Sequence, residues 1–295
     1  MNNLFENAST RWARYTAYKY SEDKDGVLYL TPTVKSKSFV YDPLENAEAM
    51  VVDALNVGML CMRGEPDEEQ IKNDILAFAE NYGLLGFMTA LPTTPDFMNY
   101  DTVYLPKNRF ITAESMATGD YAALFFPFES DGEYKNVTPK KWYVGEDGIR
   151  VSLAARDKPK AVEMSFQRGY AERYDWLRKQ FKDWAFSFCA SFLYYEETDP
   201  LMQELHRKAI SAFDGIAPTY HIELFDKPTL VWDFHSLLLA VQMMFSFMLT
   251  NGEKKLRSCK HCNKAFIATH PKAEFCSHQC KNRYNVYKSR IKNEK

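Results

Sequence analysis

Glycine and proline are sparse in this chain, 12 and 13 of 295 residues, and it holds no internal repeat or low-complexity tract. Collagen-like, linker-rich and solenoid architectures are thereby excluded. With 46% hydrophobic and 26% charged residues, disorder is excluded too, and a folded chain with a sizeable core is expected. Long apolar runs are missing. The longest, Ser236 to Leu249 (SLLLAVQMMFSFML), has 14 residues, short of the roughly 20 that cross a bilayer. A buried helix is expected there, with no membrane partner. The opening MNNLFENASTRWARY lacks the apolar centre of a signal peptide, so a cytoplasmic protein is expected. Catalytic signatures are missing as well: no P-loop, dinucleotide fingerprint, HExxH or nucleophile elbow occurs, and an enzyme is not expected.

Net charge is also nearly absent, at -2, but that sum conceals a split. Residues 254–295 hold 12 Lys and Arg against 2 Asp and Glu, a net of +10, whereas residues 1–253 hold 25 against 37, a net of -12. A one-sign basic segment is the electrostatic footprint of a nucleic-acid contact, and an acidic body opposes generic adsorption elsewhere.

Hydrophobic periodicity predicts an α+β fold, with a mixed N-terminal region and a mainly helical second half. Strands are expected within Gly26 to Tyr41, and helices over Asn46 to Leu60 and Pro66 to Leu85. Residues 86–155 read as irregular, with short β-like pieces at Tyr121 to Phe126 and Lys141 to Val144. Apolar residues three or four apart from Phe166 to Tyr195, all aromatic but Leu177, predict one long helix over 161–195. A helix near Leu201 to Phe213, a strand-like APTYHIELF and a helix from about Trp232 to Leu249 follow, closed by Asn251-Gly252 as a left-handed cap. The expected organisation is a mixed region over 1–155, a helical region over 156–252 packed on it, and a finger over 253–295.

Six cysteines are present, and four of them fall within 22 residues. Cys61 and Cys189 sit in apolar periods and read as packed thiols. The cluster reads Cys259-Lys-His-Cys262, then 13 residues, then Cys276-Ser-His-Gln-Cys280. A two-residue gap lets a tight turn aim both sulfurs at one point, and cysteines four apart share one helix face, so the spacing fits one structural Zn2+ held by Cys259, Cys262, Cys276 and Cys280. His261, His270 and His278 lie among them and remain alternative ligands. Phe266 and Phe275 supply apolar cover.

The stretch from Cys259 to Arg290 resembles the CGNR zinc finger of bacterial transcription regulators. The resemblance rests on the CxxC pair, Phe266, the pair Phe275-Cys276, the run Cys280-Lys281-Asn282-Arg283 and Arg290 seven residues further on, with Lys281 where that motif has its glycine. It implies a treble-clef-like element that contacts DNA, in a regulator whose N-terminal body senses a ligand or partner.

A final helix starting near Ser277 places Tyr284, Tyr287 and Ile291 on one stripe, expected to dock the helix. Lys281, Lys288 and Lys292 fall on one flank, suited to phosphates; Arg283 and Arg290 fall on the other and, with Asn282, suit base edges. DNA is the expected partner ahead of RNA. Two alternatives carry different expectations. A protein-interaction or structural zinc module would bind no nucleic acid, and a deaminase-like hydrolase would pair His221-Ile-Glu223 with the first CxxC. Asp233 and His235 are read as capping or satisfied polar groups.

Overall fold

The computed structural model describes residues 11–94, 96–129, 160–213, 215–224, 226–250, 256–270 and 272–293. In chain order the first elements are strands β1 (Trp12–Tyr15), β2 (Tyr18–Glu22), β3 (Leu28–Pro32) and β4 (Ser38–Tyr41), then helices α1 (Ala47–Cys61), α2 (Glu68–Tyr82) and α3 (Phe87–Ala90). Strands β5 (Thr102–Tyr104) and β6 (Ser115–Ala117), helices α4 (Thr118–Ala123) and α5 (Lys160–Ser165), and strand β7 (Glu172–Arg173) come next. Helices α6 (Tyr174–Glu196) and α7 (Pro200–Ser211), strands β8 (Thr219–Leu224) and β9 (Pro228–Asp233), and helix α8 (Leu237–Thr250) lead to strands β10 (Leu256–Ser258) and β11 (Ala265–Ile267) and helix α9 (His278–Asn293). Longer helices beside small antiparallel sheets make this an α+β fold.

The chain forms two units, each drawn from three stretches. The first comprises Met1–Glu45, Leu76–Leu177 and Ile216–Ala240, and the second Asn46–Ile75, Arg178–Gly215 and Val241–Lys295. In the first, β3 pairs antiparallel with both β2 and β7, and β1 pairs with β4. Its core is aromatic: Phe125 and Tyr170 stack with centroids 5.9 Å apart, and Phe87 meets Trp176 edge-on at 5.8 Å.

Beside that core lies Glu172, fully buried. Its Oε1 accepts hydrogen bonds from the Gly86 and Phe87 amides at 2.5 and 2.9 Å and from the Tyr170 hydroxyl at 2.8 Å, and its Oε2 accepts from the Leu85 amide at 2.8 Å. Three successive amides can converge on one carboxylate because Gly86 is left-handed, with φ 78°. A Cβ there would lie 2.6 Å from the Trp12 ring and 2.9 Å from the Ser236 Cβ. Burial pushes the Glu172 carboxyl above the usual carboxylate range, with the four donors pulling the other way.

The second unit is helical around Val51, Leu55, Ile71, Phe181, Trp184 and Phe245, all buried. Gly58 lets α1 approach α6 closely: a Cβ would run into the Phe181 carbonyl oxygen and lie 2.7 Å from the Ala185 Cβ. Overpacking of this kind costs about 1–3 kcal/mol. Gly58→Ala is therefore expected to lower the thermal midpoint of the full chain despite alanine's better helix propensity; an unchanged or raised midpoint would contradict the close approach.

Several expected elements appear with small shifts. The predicted strands emerge as β3 and β4, the two early helices as α1 and α2, and the helix near 201–213 as α7. Others are corrected. The single helix over 161–195 is broken into α5 and α6, because the Ala171 amide donates to the Phe125 carbonyl at 2.9 Å and Glu172 pairs with Leu30 in β7. The β-like Tyr121 to Phe126 starts as the end of α4, with the buried Tyr121 hydroxyl donating to the Met88 carbonyl at 2.9 Å. Trp232 and Asp233 belong to β9, and α8 starts only at Leu237, where the Ser236 hydroxyl accepts from the Leu239 amide at 3.1 Å. Lys141 to Val144 and the Asn251-Gly252 cap lie outside the described residues. Among the described residues, no helix is long and apolar enough to cross a membrane.

Candidate metal centre

The four-cysteine cluster is built by a hairpin and a helix start. Strands β10 and β11 pair antiparallel with Ser258 opposite Ala265. Between them the Cys259 amide donates to the Lys264 carbonyl and the Asn263 amide to the Cys259 carbonyl, both at 2.9 Å. That turn requires a left-handed residue at Asn263, φ 59°, a conformation asparagine adopts more readily than most side chains. It folds Cys262 back beside Cys259.

The second pair comes from the start of α9. Ser277 caps the helix, its hydroxyl accepting from the Cys280 amide at 3.2 Å, so Cys276 lies just before the helix and Cys280 in its first turn. The Lys260 amide donates to the Glu274 carbonyl at 3.0 Å, and the Lys260 ammonium reaches the Glu274 carboxylate at 2.7 Å. Those two bonds hold the hairpin against the segment that carries Cys276. Cover comes from the buried Leu256, Ala265 and Ala273.

All four sulfurs lie within 4.8 Å of one another, and no histidine belongs to the group. The Cys262–Cys276 and Cys276–Cys280 sulfur separations are 3.7 and 3.5 Å. A tetrahedron of thiolates at Zn–S bonds of about 2.3 Å has edges of about 3.8 Å, whereas a disulfide requires about 2.05 Å. The cysteines are free thiols in metal-ligand geometry. Burial raises the Cys259 thiol, but the amides of Cys262, Cys276 and His261 aimed at its sulfur outweigh that and bring it down to about 6. Cys276, desolvated and crowded by Cys280, Cys262 and Cys259, is pushed up to about 12. A divalent cation held here would displace protons from the thiols that ligate it.

Helix α9 leaves the cluster bare. Lys281, Asn282, Arg283, Lys288 and Arg290 are all exposed, and Lys281, Arg283 and Arg290 make no ion pair among the described residues. Lys288 is close enough to Glu274 to help lower its carboxyl, behind the larger effect of Lys260. Lys292 and Ile291 lie in the last turn of α9, their side chains outside the described set. The expected docking stripe is corrected: Tyr284 packs on Phe275 at 5.2 Å, but Tyr287 is 64% exposed. The finger is too small to cover more than the first turns of a 16-residue helix.

Comparison with protein-family models, with curated proteins and with solved structures finds no match. The sulfurs of the first CxxC, the pair a deaminase-like site would draw on, lie grouped with those of Cys276 and Cys280. In β8 the His221 ring Nδ1 hydrogen-bonds Asp233 at 2.8 Å, and Thr219 bonds the His235 Nε2 at 3.1 Å, so these polar groups satisfy one another across the β8–β9 hairpin and its end. Cys61 is buried and pushed up to about 11 by desolvation, and the Cys189 sulfur sits 3.3 Å from that of Met59, both consistent with packed thiols.

One residue of the centre escapes any reading of the tail alone. Asn56, inside α1, donates from Nδ2 to the Ala265 carbonyl at 3.3 Å and accepts at Oδ1 from the Ala265 amide at 2.8 Å.

Proposed function

We propose that Cys259, Cys262, Cys276 and Cys280 hold one structural Zn2+ and that the CGNR-like, treble-clef-like finger so formed presents α9 to DNA. The zinc supplies folding free energy, since a closed site of four thiolates leaves no open position to activate water. The observation that carries the reading is the exposure of Lys281, Asn282, Arg283, Lys288 and Arg290 along a helix rooted in the cysteine cluster. On this reading Lys281, Lys288 and Lys292 neutralise phosphates, and Arg283, Arg290 and Asn282 reach base edges. Four thiolates around a divalent ion leave the tail near +8, so its charge contrast with the body survives loading. By its resemblance to CGNR proteins the chain is a transcription regulator, and the acidic body senses a ligand or partner.

Gel shifts of the full chain on random duplexes test this. Retention is expected to fall by orders of magnitude between about 50 and 200 mM salt, through counterion release. Chelation, or the pair Arg283→Ala and Arg290→Ala, is expected to remove it. Binding that ignores both salt and chelation would contradict the reading. A second reading, a zinc unit that only braces the helical unit, is favoured by the Asn56–Ala265 pair. It predicts a protein free of nucleic acid that still loses thermal stability on chelation.

A further inference from the structure

We infer that Asn56 is the positioning residue of the metal centre: it serves as a third strand for the finger's hairpin and ties metal loading to the stability of α1. The inference rests on the reading of the four cysteines as a zinc site.

Along a strand, successive residues turn their backbone groups alternately toward and away from the paired strand. The Lys264 carbonyl faces inward and accepts from the Cys259 amide, so the Ala265 amide and carbonyl face outward, away from β10. Ala265 is only 2% exposed, so these two groups would be costly to leave unpaired. A carboxamide carries the same donor and acceptor as a peptide group. Asn56 supplies both in one side chain, from 209 residues away.

The position of the contact matters as much as its strength. Ala265 is three residues beyond Cys262 and follows Asn263, whose left-handed turn brings the first cysteine pair together. Holding Ala265 fixes the exit of that turn. On the other side Asn56 belongs to a helix with little freedom of its own. Two residues on, roughly 200° around α1 at 100° per residue, Gly58 is pressed against the Phe181 backbone of α6. Helix α1 is thus held between α6 and β11 within one unit. Asparagine in a helix interior is unfavourable relative to alanine. Its place among Ala54, Leu55, Val57 and Gly58, all buried, is explained by the tertiary bonds it makes. Ordering the finger around a metal completes those bonds, and losing the metal releases them; by linkage, what steadies α1 also tightens the site.

The test compares full-length wild type with Asn56→Ala, and with Gln70→Ala as a control whose side chain, among the described residues, bonds only Asp74 on the surface of α2. Zinc affinity is measured by competition with a chromophoric chelator, and amide exchange over residues 50–61 is followed with and without zinc. Wild type and the control are expected to show zinc-dependent protection of α1. Asn56→Ala is expected to bind zinc at least tenfold more weakly and to lose the zinc dependence in α1 while remaining folded, since alanine suits a helix. Tight, wild-type zinc binding by Asn56→Ala with α1 protection still zinc-dependent would overturn the inference and leave the zinc site standing. A wild type that takes up no zinc would overturn both.

Discussion

Replacing Cys276 with serine is expected to abolish stoichiometric zinc binding and to unfold residues 256–293. The substitution is nearly isosteric at an exposed position, so it removes a ligand and almost no packing. Structural zinc in small fingers supplies on the order of 10–16 kcal/mol, far more than Leu256, Ala265 and Ala273 can contribute by burial. Zinc per chain by elemental analysis and amide exchange over the finger check this together. Retention of one zinc at wild-type affinity would show that Cys276 is not a ligand. Zinc binds thiolates, so loading four thiols releases protons, and zinc retention is expected to fall as the pH is lowered.

What made this site legible is that ligand spacing is a local property. A two-residue gap followed at once by a left-handed Asn263 and a three-residue gap across the cap of α9 are both decided within a few residues of the cysteines. The charge of the tail could be counted without a fold. The docking of α9 could not, because Tyr287 belongs to an apolar stripe by period but stands 64% exposed among the described residues. Asn56 and Ala265 are 209 residues apart, and the local trace of their contact is one amide inside an apolar helix.

The fold was legible to the same extent. Helices α2 and α7, capped by Asp67 and Asp199, appear where they are expected, and so does α1, whose Asn46 makes no side-chain cap. The aromatic period from Phe166 to Tyr195 misled because Phe166, Tyr170 and Tyr174 pack on the strands of the first unit: Phe166 on Trp12, Tyr174 on Tyr20, with the Tyr170 carbonyl accepting from Thr31. Spacing records that these residues have partners, and is silent on the backbone that delivers them. Strand β9 was missed for a related reason, its Leu230 to Trp232 running on toward the apolar stretch of α8.

Glu172→Ala is expected to have the largest effect in the first unit. It would leave the amides of Leu85, Gly86 and Phe87 and the Tyr170 hydroxyl without their acceptor in a fully buried site. At about 1–3 kcal/mol for each unsatisfied buried donor, the loss is on the order of 4 kcal/mol or more, comparable to the total stability of many domains. Glu172→Gln keeps an oxygen for three of the donors and turns its amide on the Leu85 N–H, so it costs less. Chemical denaturation of the three proteins checks the order. The pH dependence carries a sign. The folded state holds the Glu172 proton more tightly than the unfolded chain, because burial outweighs the donors. The wild type should then lose stability as pH rises through that titration, and the Gln variant should lack this component. Equal stability of the Ala variant and wild type would mean that the carboxylate does not organise residues 85–87.

The most direct test of the account is X-ray absorption at the zinc edge on the purified full-length protein. It predicts one zinc per chain with four sulfur neighbours at about 2.3 Å. A nitrogen neighbour from His261, His270 or His278, or a protein without stoichiometric zinc, would contradict the site of four thiolates on which the finger, its basic helix and the Asn56 tie all depend.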